Sequence, residues 1–119
     1  MSEWGGRGFH GDFSAWLARL PTPAGKPFVL AHVHGSLTVE LFAPRGVDTQ
    51  TPHRQDEVYF VVRGEGYFVN GPDRHRFGPG HLLFVSSGVE HRFEDFTDDL
   101  AVWVVFYGPD GGEREGEKP

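Results

Sequence analysis

Short runs of apolar and β-branched residues, separated by glycine, proline, asparagine and aspartate, fill the chain from Pro27 to Tyr107. In one run Leu37, Val39 and Leu41 alternate with polar residues, which is typical of a half-buried strand. We predict strands over residues 28–34, 36–42, 58–62, 67–69, 74–77, 82–85, 91–93 and 101–107. About eight or nine short strands joined by turns indicate an all-β fold, an antiparallel barrel or sandwich.

One helix is predicted, over residues 13–20 near the N-terminus. Asp12 is a suitable N-cap, and Pro21 cannot continue the helix. The apolar residues of this segment share one helical face: Phe13, Trp16, Leu17 and Leu20. We therefore expect the helix to cover one face or edge of the barrel.

The same patterning divides the chain into three parts. Residues 1–26 are predicted to form an N-terminal segment with the short helix, and residues 27–107 the barrel. Residues 108–119 are charged and lack core residues, so we expect a mobile tail. A chain of 119 residues can bury one modest core, and no second domain is expected.

Composition excludes several classes of function. The chain has no cysteine, so a metal would need imidazole and oxygen ligands. A net charge of −6 without a basic cluster argues against nucleic-acid binding. Neither a signal-like apolar segment nor a run of membrane-spanning length occurs, which predicts a cytoplasmic protein that does not bind membranes.

Three residues from separate stretches are candidate metal ligands: His53, Glu57 and His91. In a continuous strand, residues four apart are separated by roughly 13 Å, which is too far for two ligands of one ion. The chain must therefore turn or bulge within the polar triplet at residues 54–56. Two imidazoles and one carboxylate suit Fe²⁺, and Mn, Ni, Co or Zn by the same ligand chemistry.

Two motifs around these residues resemble those of the small single-domain cupins. The first, which in that family carries two histidines before a glutamate, is matched by Thr51, His53 and Glu57, with Gly64 after six further residues. Thr51 stands in the place of the first histidine. The resemblance covers residues 27–107.

The second cupin motif is matched downstream. Gly80 is followed after five residues by Ser86-Ser87-Gly88, then by His91 and, four positions later, by Asp95. Ser86 replaces the family's proline, and Asp95 replaces its asparagine. The resemblance implies a double-stranded β-helix, or jelly roll, with one metal ion held by His53, Glu57 and His91.

Further ligands to such an ion are left open. Thr51 offers a hydroxyl, and Gln50 and Gln55 offer amide oxygens. His32 and His34 share one face of a predicted strand, so they are alternative ligands or cavity-mouth residues. The remaining histidines are expected in solvated loops: His10, His75 and His81.

The aromatic residues are interpreted mainly as core. This group comprises Tyr59, Phe60, Phe68, Phe77, Phe84, Phe93, Trp103 and Phe106. Tyr59 shares the inward face of its strand with Glu57 and Val61, so we predict a catalytic role in which its hydroxyl moves protons near a bound substrate.

Three functions compete at this point. The first is a metal-dependent enzyme, an oxygenase or a sugar-type isomerase, acting on a small polar metabolite. Small cupins are commonly described as mannose-6-phosphate-isomerase-like, but that label carries the fold and not the reaction. The second is a non-catalytic module that binds a small ligand, and the third is a structural protein with a vestigial site. The resemblance also implies a homodimer.

Overall fold

The computed structural model describes residues 7–114, which form one helix and eight strands. The elements are α1 (Phe13–Leu17), β1 (Phe28–His34), β2 (Leu37–Phe42), β3 (Asp56–Arg63), β4 (Gly66–Asn70), β5 (Asp73–Phe77), β6 (Leu82–Val85), β7 (His91–Glu94) and β8 (Ala101–Tyr107). The predicted strands are all present, and β1, β6 and β8 have the predicted bounds. No helix within the described residues is long and apolar enough to cross a membrane.

The strands form two antiparallel sheets. A five-stranded sheet has the order β1-β2-β8-β3-β6, and a three-stranded sheet has the order β5-β4-β7. The main core contains buried residues of both sheets, with Tyr59 and Val102 from the larger and Phe68 and Phe93 from the smaller. The predicted all-β jelly roll with a short N-terminal helix is therefore confirmed.

Strand β3 is longer than predicted and pairs with both β8 and β6. It begins at Asp56, because the ladder with β8 extends to the pair Asp56–Tyr107. At its other end the chain turns at Gly64, whose φ of +96° and whose approach to Leu100 both require glycine. A Cβ atom there would lie 2.5 Å from the Cα atom of Leu100.

Helix α1 is shorter than predicted but is capped as expected. The Asp12 side chain accepts a hydrogen bond from the Ser14 amide. After Leu17 the chain tightens, because the amide of Leu20 bonds to the carbonyl of residue 17, three positions back. Trp16 is buried against Ala31 and Leu41, so the helix covers the outer face of the larger sheet at β1 and β2.

Two aromatic residues predicted to be core are instead exposed on that outer face. Phe60 is 46% exposed and Phe84 50% exposed, and their neighbour Leu82 is 62% exposed. Phe60 follows the inward-facing Tyr59, so it points away from the core. The apolar cluster around Trp16, here called the helix cluster, does not extend over β3 and β6. The core prediction was wrong for these two residues.

The beginning of the predicted tail lies against the barrel. The amide of Gly111 donates to the carbonyl of Arg54 at 2.7 Å, and the amide of Glu113 donates to Oδ2 of Asp56 at 2.8 Å. Asp56 is buried. The rest of the predicted tail, residues 115–119, and the first six residues of the chain lie outside the described residues.

Candidate metal centre and adjoining pocket

The three candidate ligands come together at one end of the barrel. One ligand atom from each of His53, Glu57 and His91 lies within 4.8 Å of the others. His53 precedes β3, Glu57 faces inward from β3, and His91 begins β7. The chain bends at residues 54 and 55, within the stretch where the sequence required a turn. Oε1 of Glu57 lies 3.1 Å from Nδ1 of His53 and 2.8 Å from Nε2 of His91.

Hydrogen bonds between the segment before His91 and the segment from His53 to β3 keep the three ligand residues together. The amide of Gly88 donates to the carbonyl of His53 at 2.8 Å. Ser87 donates twice, from its amide to Oδ1 of Asp56 at 2.9 Å and from its hydroxyl to the carbonyl of Arg54 at 2.7 Å. The loop that leads into His91 is thereby fastened to the loop that carries His53.

The cluster is buried and its members interact electrostatically. The side chains of Glu57 and His91 are 1% and 0% exposed, and that of His53 is 34% exposed. Burial alone would raise the pKa of Glu57, but its interactions with His53 and His91 outweigh burial and lower the pKa. For His91, burial acts to lower the pKa, and the interactions with Glu57 and the Val89 carbonyl outweigh it and raise the pKa.

The donor atoms fit a divalent cation. Oε2 of Glu57 and Nε2 of His91 are buried without a hydrogen-bond partner among the described residues. Nε2 of His91 lies 2.8 Å from the other oxygen of Glu57, Oε1, but this contact lacks the geometry of a hydrogen bond. Nδ1 of His91 lies 2.8 Å from the Val89 carbonyl, which can only accept, so the proton belongs on Nδ1. A neutral imidazole in this tautomer presents the Nε2 lone pair to the cluster, as metal-binding histidines do.

A pocket of about 660 Å³ adjoins the cluster at His53. Its apolar wall includes Phe42 and Phe106, and its polar wall includes Glu40 and Thr51. Glu57 and His91 are not part of this wall. A ligand in the pocket would therefore contact the cluster first through His53.

Glu40 is a pocket residue that the sequence analysis missed. It lies on β2 opposite Val104 of β8, and both residues line the pocket. Burial is the main cause that raises the pKa of Glu40; the charge of Glu57 adds to it and that of His53 opposes it. The available signal was the alternation of Thr38 and Glu40 with apolar residues, which is also typical of an ordinary solvent-facing strand side.

Tyr59 lies beside the cluster but behind the pocket wall. Its side chain is fully buried, and its hydroxyl donates to Oε1 of Gln50 at 3.0 Å. Nε2 of Gln50 in turn donates to Oδ2 of Asp48 at 2.7 Å, an oxygen that also accepts from the Phe93 amide. Burial, followed by the charge of Glu57, raises the pKa of Tyr59 well above its ordinary value.

The other residues considered as ligands are placed differently. Thr51 and Gln55 line the pocket, but Nε2 of Gln55 is bonded to the carbonyls of residues 36 and 108. His32 stacks on Phe9 with ring centroids 4.8 Å apart, within the packing of the N-terminal segment. Neither His32 nor His34 lines the pocket. The histidines expected in solvated loops, His10, His75 and His81, are exposed, but His75 lies on strand β5 and not in a loop.

Comparison with known proteins adds a family and a fold. A family model described as a cupin domain matches residues 38–107. An uncharacterized protein of Streptomyces coelicolor is 43% identical over 63 residues, which are 53% of this chain and 60% of the relative. This chain thus spans about 60% of the length of that curated relative.

Solved structures share the architecture at low sequence identity. A cupin-2 domain containing protein of Shewanella frigidimarina superposes with a TM-score of 0.63 and 14% identity, over 82% of this chain and 94% of that one. A protein of Ralstonia eutropha, provisionally named a mannose-6-phosphate isomerase, gives a TM-score of 0.64 and 20% identity, over 86% and 100% of the two chains. At these identities the likeness shows the fold alone.

Proposed function

The chain belongs to the cupin family, and from that premise we propose that it binds one divalent metal ion through His53, Glu57 and His91. The observation that carries this proposal is the pair of buried atoms without hydrogen-bond partners, Oε2 of Glu57 and Nε2 of His91, inside a cluster of ligand size. Leaving such atoms unsatisfied costs about 1–3 kcal/mol each, and a cation would satisfy both.

The donor set is compatible with Fe, Mn, Ni, Co or Zn. Two imidazoles and one carboxylate form a facial set that leaves coordination positions open for water or ligand. When bound, such an ion supplies Lewis acidity and lowers the pKa of a bound water. Thr51 and the amide oxygen of Gln55, both in the pocket wall, remain candidates for an additional oxygen ligand.

The activity that this arrangement supports is a metal-dependent reaction of the oxygenase or isomerase class on a small polar metabolite held in the pocket. His53 is shared by the cluster and the pocket wall, so it would be the side chain nearest to both ion and substrate. The contacts of Tyr59 favour a positioning role over the predicted proton transfer, because its hydroxyl is committed to Gln50.

One observation favours a non-catalytic ligand-binding module as the second candidate. Tyr59 is absent from the pocket wall, and the pocket therefore lacks the proton carrier that the sequence suggested. In such a module the ion would anchor a ligand without transforming it. Turnover of candidate metabolites by the metal-loaded protein separates the two functions.

Metal analysis tests the shared part of both proposals. Protein stripped with a chelator, reloaded with each candidate metal and desalted should retain about one ion per chain for at least one metal. His91→Ala should lose this uptake, since it removes a buried ligand. His75→Ala, which alters an exposed histidine on β5, is the matched control and should retain it. Absence of uptake by the wild type, or unchanged uptake by His91→Ala, would contradict the proposal.

We also propose a homodimer formed through the outer face of β3 and β6. Phe60, Leu82 and Phe84 form an exposed apolar patch there, and β6 is the edge strand of its sheet. A twofold axis would let the same patch serve both copies. Light scattering after size exclusion should give a dimer for the wild type and a monomer for Phe60→Lys. Leu30→Lys, at the opposite edge of the sheet, is the control; a monomeric wild type would end this proposal.

Two further expectations from the sequence remain predictions. A cytoplasmic location is tested by cell fractionation. The division into an N-terminal segment, a barrel over residues 27–107 and a tail is tested by limited proteolysis, in which the barrel should be the resistant fragment.

A further inference from the structure

Glu40 lines the pocket that adjoins the candidate metal cluster. Strand β2 lies between β1 and β8, and its two sides differ in chemistry. Leu41 packs in the cluster under the N-terminal helix, whereas Thr38, Glu40 and Phe42 line the pocket. The side chain of Glu40 is thus on the pocket side of a strand that has hydrogen-bonded neighbours on both edges.

The Glu40 carboxylate has no hydrogen-bonded or ion-paired partner in the part of the chain that the structure describes. Among residues 7–114, no hydrogen bond or ion pair joins it to another side chain or to the backbone. Its electrostatic neighbours are His53 and Glu57, the two candidate ligands on the adjoining side of the pocket. Every other carboxylate discussed above accepts at least one hydrogen bond or ion pair.

The positive charges around the pocket belong to its exposed rim. Lys26 and Arg54 are both exposed, and Arg54 lies 3.6 Å from Asp110, which neutralises it. The wall near Glu40 includes Phe42, Val104 and Phe106, which cannot solvate a carboxylate, and the hydroxyl-bearing Thr38. None of the described residues donates a hydrogen bond to this half-buried carboxylate, and a ligand can supply one.

We propose that Glu40 selects the ligand of this pocket: a small molecule with an apolar body that presents an amino or hydroxyl group to the carboxylate, and not an anionic group. This inference rests on the proposed function in placing the ligand next to the metal cluster. The volume of about 660 Å³ and the aromatic wall accommodate a molecule of that size and character. An anionic sugar ester is disfavoured at this end of the pocket, because the carboxylate of Glu40 lines it and the charge of Glu57 lies close behind the wall.

Three probes of similar size test the selection: 2-phenylethylamine, 2-phenylethanol and 3-phenylpropanoate, which share a phenylethyl body and end in a cationic, a neutral and an anionic group. Their dissociation constants are measured by NMR titration on the full chain after removal of metal, so that an anion cannot bind through the ion. The amine should bind at least about tenfold more tightly than the acid, with the alcohol between them. In Glu40→Gln this ratio should fall about tenfold.

Glu65→Gln is the matched control, because it removes the same charge from an exposed residue outside the pocket that pairs with Arg76. It should leave the ratio unchanged. No amine binding by the wild type, a ratio unaffected by Glu40→Gln, or an equal fall in Glu65→Gln would each overturn the inference.

Metal uptake, measured on the same proteins, separates this inference from the proposed function. If metal uptake is normal and the acid-to-amine ratio of dissociation constants is the same in Glu40→Gln as in the wild type, Glu40 is rejected as the selecting residue and the metal site stands. A ratio that responds to Glu40→Gln in a protein that takes up no metal rejects the metal site and leaves the selecting role of Glu40 intact.

Discussion

Two glutamates of this chain each lie between two basic side chains, yet their surroundings give them different roles. Glu57 belongs to the inner cluster, formed with His53 and His91, and its side chain is 1% exposed. Glu94 belongs to the outer cluster, formed with Arg74 and Arg92, and its side chain is 28% exposed. The partners lower the pKa of both carboxyl groups.

The difference lies in how the oxygens are used. Glu94 gives one oxygen to each arginine, with Oε1 3.0 Å from Nε of Arg74 and Oε2 2.7 Å from Nε of Arg92. Glu57 directs one oxygen to both imidazoles and leaves the other buried without a hydrogen bond. The outer carboxylate has an arginine on each oxygen and is partly exposed, whereas the inner one retains capacity for a ligand. Burial and an unused oxygen, more than the presence of charged neighbours, mark the inner cluster as a site.

The largest expected contrast is in stabilisation by metal. A bound metal at about 1,000 times its dissociation constant should raise the free energy of unfolding of the wild type by about 4 kcal/mol. Glu57→Gln should lose nearly all of this gain, because it removes the charged ligand, and Glu94→Gln should keep it. Urea unfolding with metal and with chelator measures the gain; equal gains in both variants would remove the contrast.

A smaller contrast is expected in the metal-free protein. Glu57→Gln should lower the free energy of unfolding by about 1–3 kcal/mol, because it disturbs buried polar groups. Glu94→Gln should leave it nearly unchanged, since exposed ion pairs contribute little. The same urea experiment in chelator gives both values. A larger cost at Glu94 than at Glu57 would contradict the assignment of the outer cluster to the surface.

The smallest effect concerns the pH response of the outer cluster. Arg74, followed by Arg92, lowers the folded-state pKa of Glu94. The stabilisation linked to this group is therefore complete above the unfolded pKa and is lost as pH falls through the folded one. In carbon-detected NMR titrations, Arg74→Gln should move the pKa of Glu94 upward. An unchanged titration would show that Arg74 does not hold the carboxylate in solution.

The candidate ligands could be found from the sequence because motif spacing is a local property. His53, Glu57 and His91 stand in two short segments whose turns are marked by Gly64 and Gly88, and the structure brings their ligand atoms together. Glu40 could not be found in this way. It lies in no motif, and its role depends on which side of β2 faces the pocket.

The exposed aromatic residues show the same limit. Phe60 and Tyr59 are neighbours in one strand, and strand geometry requires only that they point to opposite sides. The side that becomes buried depends on what packs against the sheet. The three-stranded sheet covers Tyr59, whereas the helix cluster does not reach Phe60.

By itself, then, the sequence determined the strands, their turns and the spacing of the candidate ligands, because alternation, glycine and proline act over a few residues. The tertiary structure alone decided that the apolar side of β2 lies under the helix while Glu40 lines the pocket. It also decided that the Tyr59 hydroxyl is bonded to Gln50 and that Oε2 of Glu57 is left without a hydrogen bond among the described residues. These features arise from contacts between elements distant in the chain, and such contacts depend on how whole faces pack against one another.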